Sequence, residues 1–377
     1  MTQGRSRATR VRPALTCQLP GRKVPVYVAN GMLARADALL GRGRGKCEIV
    51  TDTHVDSVCG ARVASQLKKA GWQVHKTVLR PGETIKTTAT IRALHEDWFS
   101  RGYDRHTPII ACGGGTVGDA VGFAAATFLR GVPFWQFPTS IIAQVDAAIG
   151  GKVGINHRRG KNLIGSFYHP QGIVIDPAVL DTLPARERRS GLAEVVKYGV
   201  ISDPKIFAAC EKRVADWSAG QRPLDEPILR ACVRIKLDIV AADETDRGLR
   251  HHLNFGHTLG HAFERWGGFK RLRHGEAIAI GMAAAGWLAA ERGLWKQSEF
   301  ERLETVCRQL RPVRKLPPFS ATEIASHLKL DKKRVMGRIR WVLPRGIGRV
   351  ALFDDVSPTE IRATLRYVRG WLGRYID

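Results

Sequence analysis

No apolar run in this 377-residue chain approaches the ~18 residues a membrane-spanning helix needs, because charges interrupt every one. A helical membrane span is excluded. The seven cysteines, at 17, 47, 59, 112, 210, 232 and 307, are odd in number, scattered and form no CxxC pair. That excludes a disulfide framework and predicts a reducing, cytoplasmic setting. HExxH is missing, so a zinc-protease reading fails. Acidic residues are scarce, 35 Asp+Glu against 60 Lys+Arg, for a formal charge of +25. The excess sits at the ends: residues 1–50 hold ten Lys/Arg and two acids, and residues 301–377 hold seventeen and eight. No basic stripe interleaves with aromatics, and no zinc-finger or RNA-recognition signature is present. The charge therefore reads as a solvated basic surface, with no nucleic-acid partner. Residues 1–15 are basic and acid-free, as in some transit peptides, but lack the apolar core of a secretory signal; they read as a basic terminus.

What is present suits two domains with a sizeable core: 44% hydrophobic and 25% charged residues. Strand-like runs at 23–29, 47–51, 74–79, 108–112, 134–138 and 172–175 alternate with helical patterns at 55–71, 91–100 and 120–128. Beyond about 184 the strand signals fade and helical patterns follow at 186–199, 228–242, 257–266, 275–291 and 299–309. The expected architecture is an α/β, Rossmann-like nucleotide-binding domain over 1–184, with 1–22 as a basic tail, and a mostly α-helical domain over 185–377. An active site is expected in the cleft between them.

Four segments carry chemistry. Residues 113–119 (GGGTVGD) follow the apolar run PIIAC and precede a helical pattern, the context in which a G-x-G-x-x-G turn holds a pyrophosphate. No acidic residue stands ~20 positions on, so this is either a structural turn or a dinucleotide site of variant geometry. Residues 146–162 (DAAIGGKVGINHRRGKN) set Asp146, Lys152, Asn156, Lys161 and Asn162 among glycines. They read as an exposed loop or as donors converging on a phosphate. In GLAEVVKYG, Glu194, Lys197 and Tyr198 share a helix face, an arrangement also typical of a surface ion pair. In NFGHTLGHAFE, His257 and His261 stand four apart, with His274 nearby in RLRHGEA. Together with a distant carboxylate they point to a divalent-metal site.

These blocks, running from GGGTVGD through FLRG, FPTS, GGKVGINHRRGKN, GLAEVVKYG, DETDRGLRHHLNFGHTLGHAFE and HGEAIAIGM, resemble the 3-dehydroquinate synthase family of sugar-phosphate cyclases. The likeness extends from about residue 24 to 348 and is dense over 108–282. It implies an NAD-dependent, zinc- or cobalt-dependent enzyme of the shikimate pathway, which supplies aromatic amino acids. That enzyme turns 3-deoxy-D-arabino-heptulosonate 7-phosphate into 3-dehydroquinate and phosphate. The steps implied are transient oxidation, phosphate elimination, re-reduction, ring opening and aldol closure. By resemblance, NAD contacts fall on Asp52, Glu83, Lys86, Gly114, Gly115, Thr116, Val117, Gly118, Asp119, Thr139, Ser140, Lys161, Thr182 and Leu183, Ser140 standing where the family has a second threonine. The metal ligands fall on Glu194, His257 and His274. Substrate and catalytic positions fall on Arg130, Asp146, Lys152, Asn162, Lys197, Lys236, Arg250, Asn254 and His261, with Lys333 or its neighbour Lys332 on phosphate. Arg130 is implied to reach a neighbouring subunit's site in a homodimer. Rival readings are a cyclase of 2-deoxy-scyllo-inosose or valiolone type, a polyol dehydrogenase, or a nucleic-acid-binding scaffold. The retained Lys236, Arg250 and Asn254, the phosphate-suited loop and the intact ligand set weigh against each in turn.

Overall fold

In the computed structural model the described residues are 11–41, 43, 45–310, 319–328, 334–335 and 338–373. The chain forms two compact units that part between Thr182 and Leu183, with Lys236–Ala241 belonging to the first.

Among the described residues the first unit holds nine strands: β1 (Leu15–Leu19), β2 (Arg22–Val28), β3 (Lys46–Asp52), β4 (Gln73–Leu79), β5 (Ile109–Gly113), β6 (Phe134–Pro138), β7 (Lys152–His157), β8 (Gly160–Phe167) and β9 (Gly172–Ile175). Its helices are α1 (Ala36–Leu40), α2 (Thr53–Val55), α3 (Ala61–Lys69), α4 (Thr88–Ser100) and α5 (Gly115–Thr127). Seven strands form one sheet in the order β1-β2-β9-β6-β5-β3-β4, parallel except for the β1–β2 pair. PIIAC is apolar throughout because β5 is covered on both faces: Ile109 and Ala111 pack with α4 and α5, and Ile110 and Cys112 pack with α3. The register pairs Asp52 with Leu79 and Gly113 with Pro138, so these strands end at one edge, where the loops carrying the predicted cofactor residues emerge. The strand order reverses between β3 and β5, the place where open α/β sheets bind ligands. All seven cysteines are buried thiols.

Residues 152–167 are not a loop. β7 and β8 form an antiparallel hairpin with Lys152 opposite Phe167 and Gly154 opposite Gly165. A Cβ on Gly154 would stand 2.6 Å from Ile164 O, and one on Gly165 would stand 2.3 Å from Val153 O. The glycines serve close strand approach, and the alternating Val153 and Ile155 are buried against α5.

The second unit is largely helical: α6 (Ala185–Ile201), α7 (Pro204–Ala219), the first part of α8 (Glu226–Ala242), whose Lys236–Ala241 stretch belongs to the first unit, α9 (His257–Trp266), α10 (His274–Glu291), α11 (Gln297–Gln309), α12 (Ala321–Leu328) and α13 (Pro358–Gly373). α7, absent from the sequence reading, starts at an Asp203 cap with Pro204 in the first turn and stops at Gly220 with φ 76°. A hairpin of Trp341–Gly346 and Arg349–Phe353 adds two late strands.

Candidate active site

In the first unit a polar cluster gathers beside the sheet edge. Gly114 is the N-cap of α5, and no side chain caps its first-turn amides, a cradle suited to a pyrophosphate. Glu83 accepts hydrogen bonds from Thr116 Oγ1 at 3.4 Å and from Asn156 Nδ2 at 2.9 Å. Lys86, 3% exposed, donates to Asp119 at 2.6 Å and to Asn162 Oδ1. Burial raises the Asp119 pKa, and the Lys86 ammonium works against that rise. Asn156 Oδ1 accepts the Asn162 amide at 3.0 Å, tying the hairpin turn to the cluster. The structure thus joins Glu83, Lys86, Thr116, Asp119 and Asn162, and adds Asn156, which the resemblance had not assigned. Its position among glycines and charges was the only hint.

Of the other predicted cofactor residues, Asp52, Thr139 and Ser140 lie at or just past the ends of β3 and β6 on the same edge. Asp52 caps α2, accepting the His54 and Val55 amides at 2.9 and 3.1 Å. Val117 and Gly118 are buried in α5. Thr139 donates its amide to Gly113 O at 3.0 Å, and Ser140 Oγ accepts the Ala143 amide at 3.3 Å. Thr182 bonds locally to Val179 O, and Leu183 O accepts from Arg188 at 2.5 Å in the second unit. Lys152 and Lys161 stand toward opposite ends of the hairpin, their backbones roughly 15 Å apart at ~3.3 Å per residue. Asp146 pairs with the buried Lys236. Arg130 is exposed, its φ of 67° following a φ of 48° at Leu129, between α5 and β6. Lys332 and Lys333 lie outside the described residues.

The second unit brings Glu194, His257 and His274 together, one ligand atom from each within 4.8 Å of the others. Glycines make this convergence possible. A Cβ on Gly275 would stand 1.8 Å from Ser190 O, so α10 begins in backbone contact with α6 and sets His274 against Glu194. A Cβ on Gly281 would stand 1.8 Å from Gly256 O, which brings the start of α9, and so His257, against α10. Glu194 Oε1 lies 3.0 Å from His274 Nε2 and 3.5 Å from His257 Nε2. His257 Nδ1 faces Phe255 O at 2.9 Å. A carbonyl only accepts, so Nδ1 carries a proton, and Nε2 is the nitrogen turned toward the Glu194 carboxylate. A carboxylate with two imidazoles at one point is the donor set of a catalytic zinc site. Burial alone would lower the His274 pKa, but the Glu264 and Glu194 carboxylates outweigh it and push it up to about 10.

The i,i+4 spacing of His257 and His261 suggested that both bind the metal. Instead His261 stands beside Glu264, 3.8 Å away, outside the Glu194 set. Lys197 is fully buried, ion-paired to Glu194 and 4.9 Å from the Tyr198 ring centroid, so this pair is no surface bridge. Arg250, 2% exposed, donates to Glu244 O at 2.7 Å, and its amide donates to Asp243 at 3.0 Å. Asn254 ends the same short helical segment, Leu249–Asn254.

Comparisons with known proteins bear on both units. Residues 76–190 match the family model "3-dehydroquinate synthase N-terminal" and residues 191–334 match "3-dehydroquinate synthase C-terminal". A 3-dehydroquinate synthase of Desulforamulus reducens is 42% identical over 351 residues, covering 92% of this chain and 98% of the relative. One from a Synechococcus species is 42% identical over 361 residues, covering 93% and 97%. Among solved structures, 2-epi-5-epi-valiolone synthase from Streptomyces hygroscopicus, with NAD+ and Zn2+ bound, superposes with a TM-score of 0.84 at 32% identity, covering 92% of this chain and 97% of that one. Glycerol dehydrogenase from Schizosaccharomyces pombe shares the fold alone, at 17% identity with a TM-score of 0.65 over 97% of this chain and 92% of that one. With both halves matched and relatives this similar along nine-tenths of its length, the chain belongs to the 3-dehydroquinate synthase family.

Proposed function

We propose that the chain is a 3-dehydroquinate synthase, a carbon–oxygen lyase that converts 3-deoxy-D-arabino-heptulosonate 7-phosphate to 3-dehydroquinate and phosphate. The observation that carries the reading is the buried Glu194 with His257 and His274 at one point, in a chain 42% identical to 3-dehydroquinate synthases over nine-tenths of its length. When bound, NAD would supply a reversible hydride acceptor and a divalent metal, zinc or cobalt, a Lewis acid for a substrate oxygen.

The chain's own residues do the rest. Glu194, His257 and His274 hold the metal. Glu83, Lys86, Thr116, Asp119, the first turn of α5, Asp52, Thr139, Ser140, Lys161, Thr182 and Leu183 form the NAD contacts. Lys152, Asn162, Lys197 and Lys333 or Lys332 bind the departing phosphate, whose charge their donors neutralise. The buried Arg250 guanidinium, with Lys236 and Asn254, takes the carboxylate, and the Asp146 partner of Lys236 holds that ammonium in place. His261, a third exposed, moves a proton at a substrate hydroxyl. In a homodimer Arg130 serves the neighbouring subunit's site. A cytoplasmic location belongs to the same reading.

Substrate and products stand at the same oxidation level. Incubation with the heptulosonate phosphate, NAD+ and Zn2+ should therefore release phosphate one-for-one with dehydroquinate and accumulate no NADH. Absence of phosphate release overturns the proposal. The likeness to a valiolone synthase supports a second reading, a cyclase acting on a sugar phosphate without a carboxylate. Preferential turnover of such a substrate would favour it.

A further inference from the structure

The HTLGHAFE segment holds a third titratable residue that the reaction leaves unassigned. Glu264 follows His257 and His261 on α9 at i+7 and i+3, so all three project from one side of the helix. It is a buried carboxylate, 4% exposed, and its Oε2 lies 3.4 Å from His274 Nδ1. The opposite ring nitrogen, Nε2, is the one that faces Glu194 at 3.0 Å. His274 is thus held between two carboxylates, one at each nitrogen. His257 is held in the same sense, with its Nδ1 on a carbonyl and its Nε2 toward Glu194.

We propose that Glu264 is a positioning residue for the metal site: it accepts the Nδ1 proton of His274 and so commits the Nε2 lone pair, and the ring plane, to the metal. The proposal rests on the metal reading above. An imidazole has one lone pair once Nδ1 is protonated, and a carboxylate acceptor fixes that proton more firmly than water does. The same carboxylate lies 3.8 Å from His261 Nε2, so one buried group faces both the metal ligand and the proton-transfer residue. Losing such a partner costs metal affinity by ~10–100-fold in comparable sites.

The test is zinc affinity, read by competition with a chelating dye, in the parent protein and in Glu264→Gln, with thermal unfolding of the zinc-free forms as the measure of folding. The expected result is a ~10–100-fold weaker zinc affinity in a variant that still folds. An affinity within twofold of the parent overturns the proposal while leaving the metal reading intact. A parent that binds no zinc removes both. A second measurement needs no variant: nitrogen-15 NMR of the parent loaded with cadmium-113. Coupling of the metal to His274 Nε2, with a slowly exchanging Nδ1 proton, is the expected signature. Coupling to Nδ1, or an Nδ1 proton that exchanges as freely as an exposed imidazole's, overturns it.

Discussion

Replacing Gly281 with alanine adds one methyl group at a position with no chemical role, and should nonetheless strip metal from the protein. The new Cβ would stand 1.8 Å from Gly256 O and 2.9 Å from Gly260 N, whereas ordinary contact begins near 3.4 Å. Both obstacles are backbone, so no side chain can swing aside. α9 and α10 must part by about 1.6 Å, and His257, the residue after Gly256, moves with its helix. Metal–ligand distances tolerate only ~0.2 Å. Overpacking of this kind costs ~1–3 kcal/mol, and a backbone obstacle argues for the upper end. Alanine recovers about 1 kcal/mol of helix propensity, leaving a net loss of about 2 kcal/mol. At ~2–4 °C per kcal/mol for domains of this size, melting should fall by roughly 4–8 °C. Zinc affinity should drop at least tenfold, since ~1.4 kcal/mol lost at the site suffices. Gly286→Ala, on the same helix, is the control: the three atoms nearest its Cβ would be side-chain carbons of Leu303, Phe300 and Trp295 at 3.1 Å, so zinc binding should be unchanged. If Gly281→Ala melts and holds zinc like the parent, the helices are not held apart by that contact and the reasoning fails.

Three further outcomes are expected. His257→Ala should abolish zinc retention and turnover while NAD titration still reports an intact first unit; full activity of a zinc-free preparation would contradict it. Lys86→Met takes the ammonium from Asp119 and one donor from Asn162 Oδ1, so denaturant unfolding should show a loss of about 3 kcal/mol and NAD should bind at least tenfold more weakly. Burial works to raise the Asp243 pKa, but hydrogen bonds from the Arg247, Arg250 and Gly248 amides dominate and hold it down to about 2. A carboxylate lowered in the folded state stabilises above its unfolded value of ~3.9 and loses that contribution as pH falls toward 2. Unfolding midpoints of Asp243→Asn should therefore vary less steeply between pH 4 and 2 than those of the parent.

The alternating order of the first half was legible because β3, β5, β6 and β9 are buried on both faces and have short apolar centres, unbroken in β5 and β9 and interrupted by the buried Glu48 in β3 and Gln136 in β6. β7 and β8 were not, because Gly154 and Gly165 are chosen for backbone approach and resemble loop glycines in a string. The start of α5 was hidden for a similar reason: its first turn contains the glycines that leave its amides open. The ligand set was only half visible. Spacing along one helix favours His257 with His261, but the ligand that completes the set lies on α6, brought in by Gly275 against Ser190, a contact no local pattern reveals. Glu264 was in view in the sequence, yet only the orientation of the His274 ring gives it a role.

The seven buried thiols have a practical consequence for following how this molecule comes apart. Burial pushes Cys47 up to about 12, and it raises Cys210, Cys232 and Cys307 as well, so in the native protein these groups are poor nucleophiles. An alkylating reagent therefore reads opening of the chain rather than surface chemistry. Cys17, Cys47, Cys59 and Cys112 lie in the first unit and Cys210, Cys232 and Cys307 in the second. Peptide-resolved labelling rates, taken from one sample with and without zinc or NAD+, would thus report the opening of each unit separately, with no engineered probe.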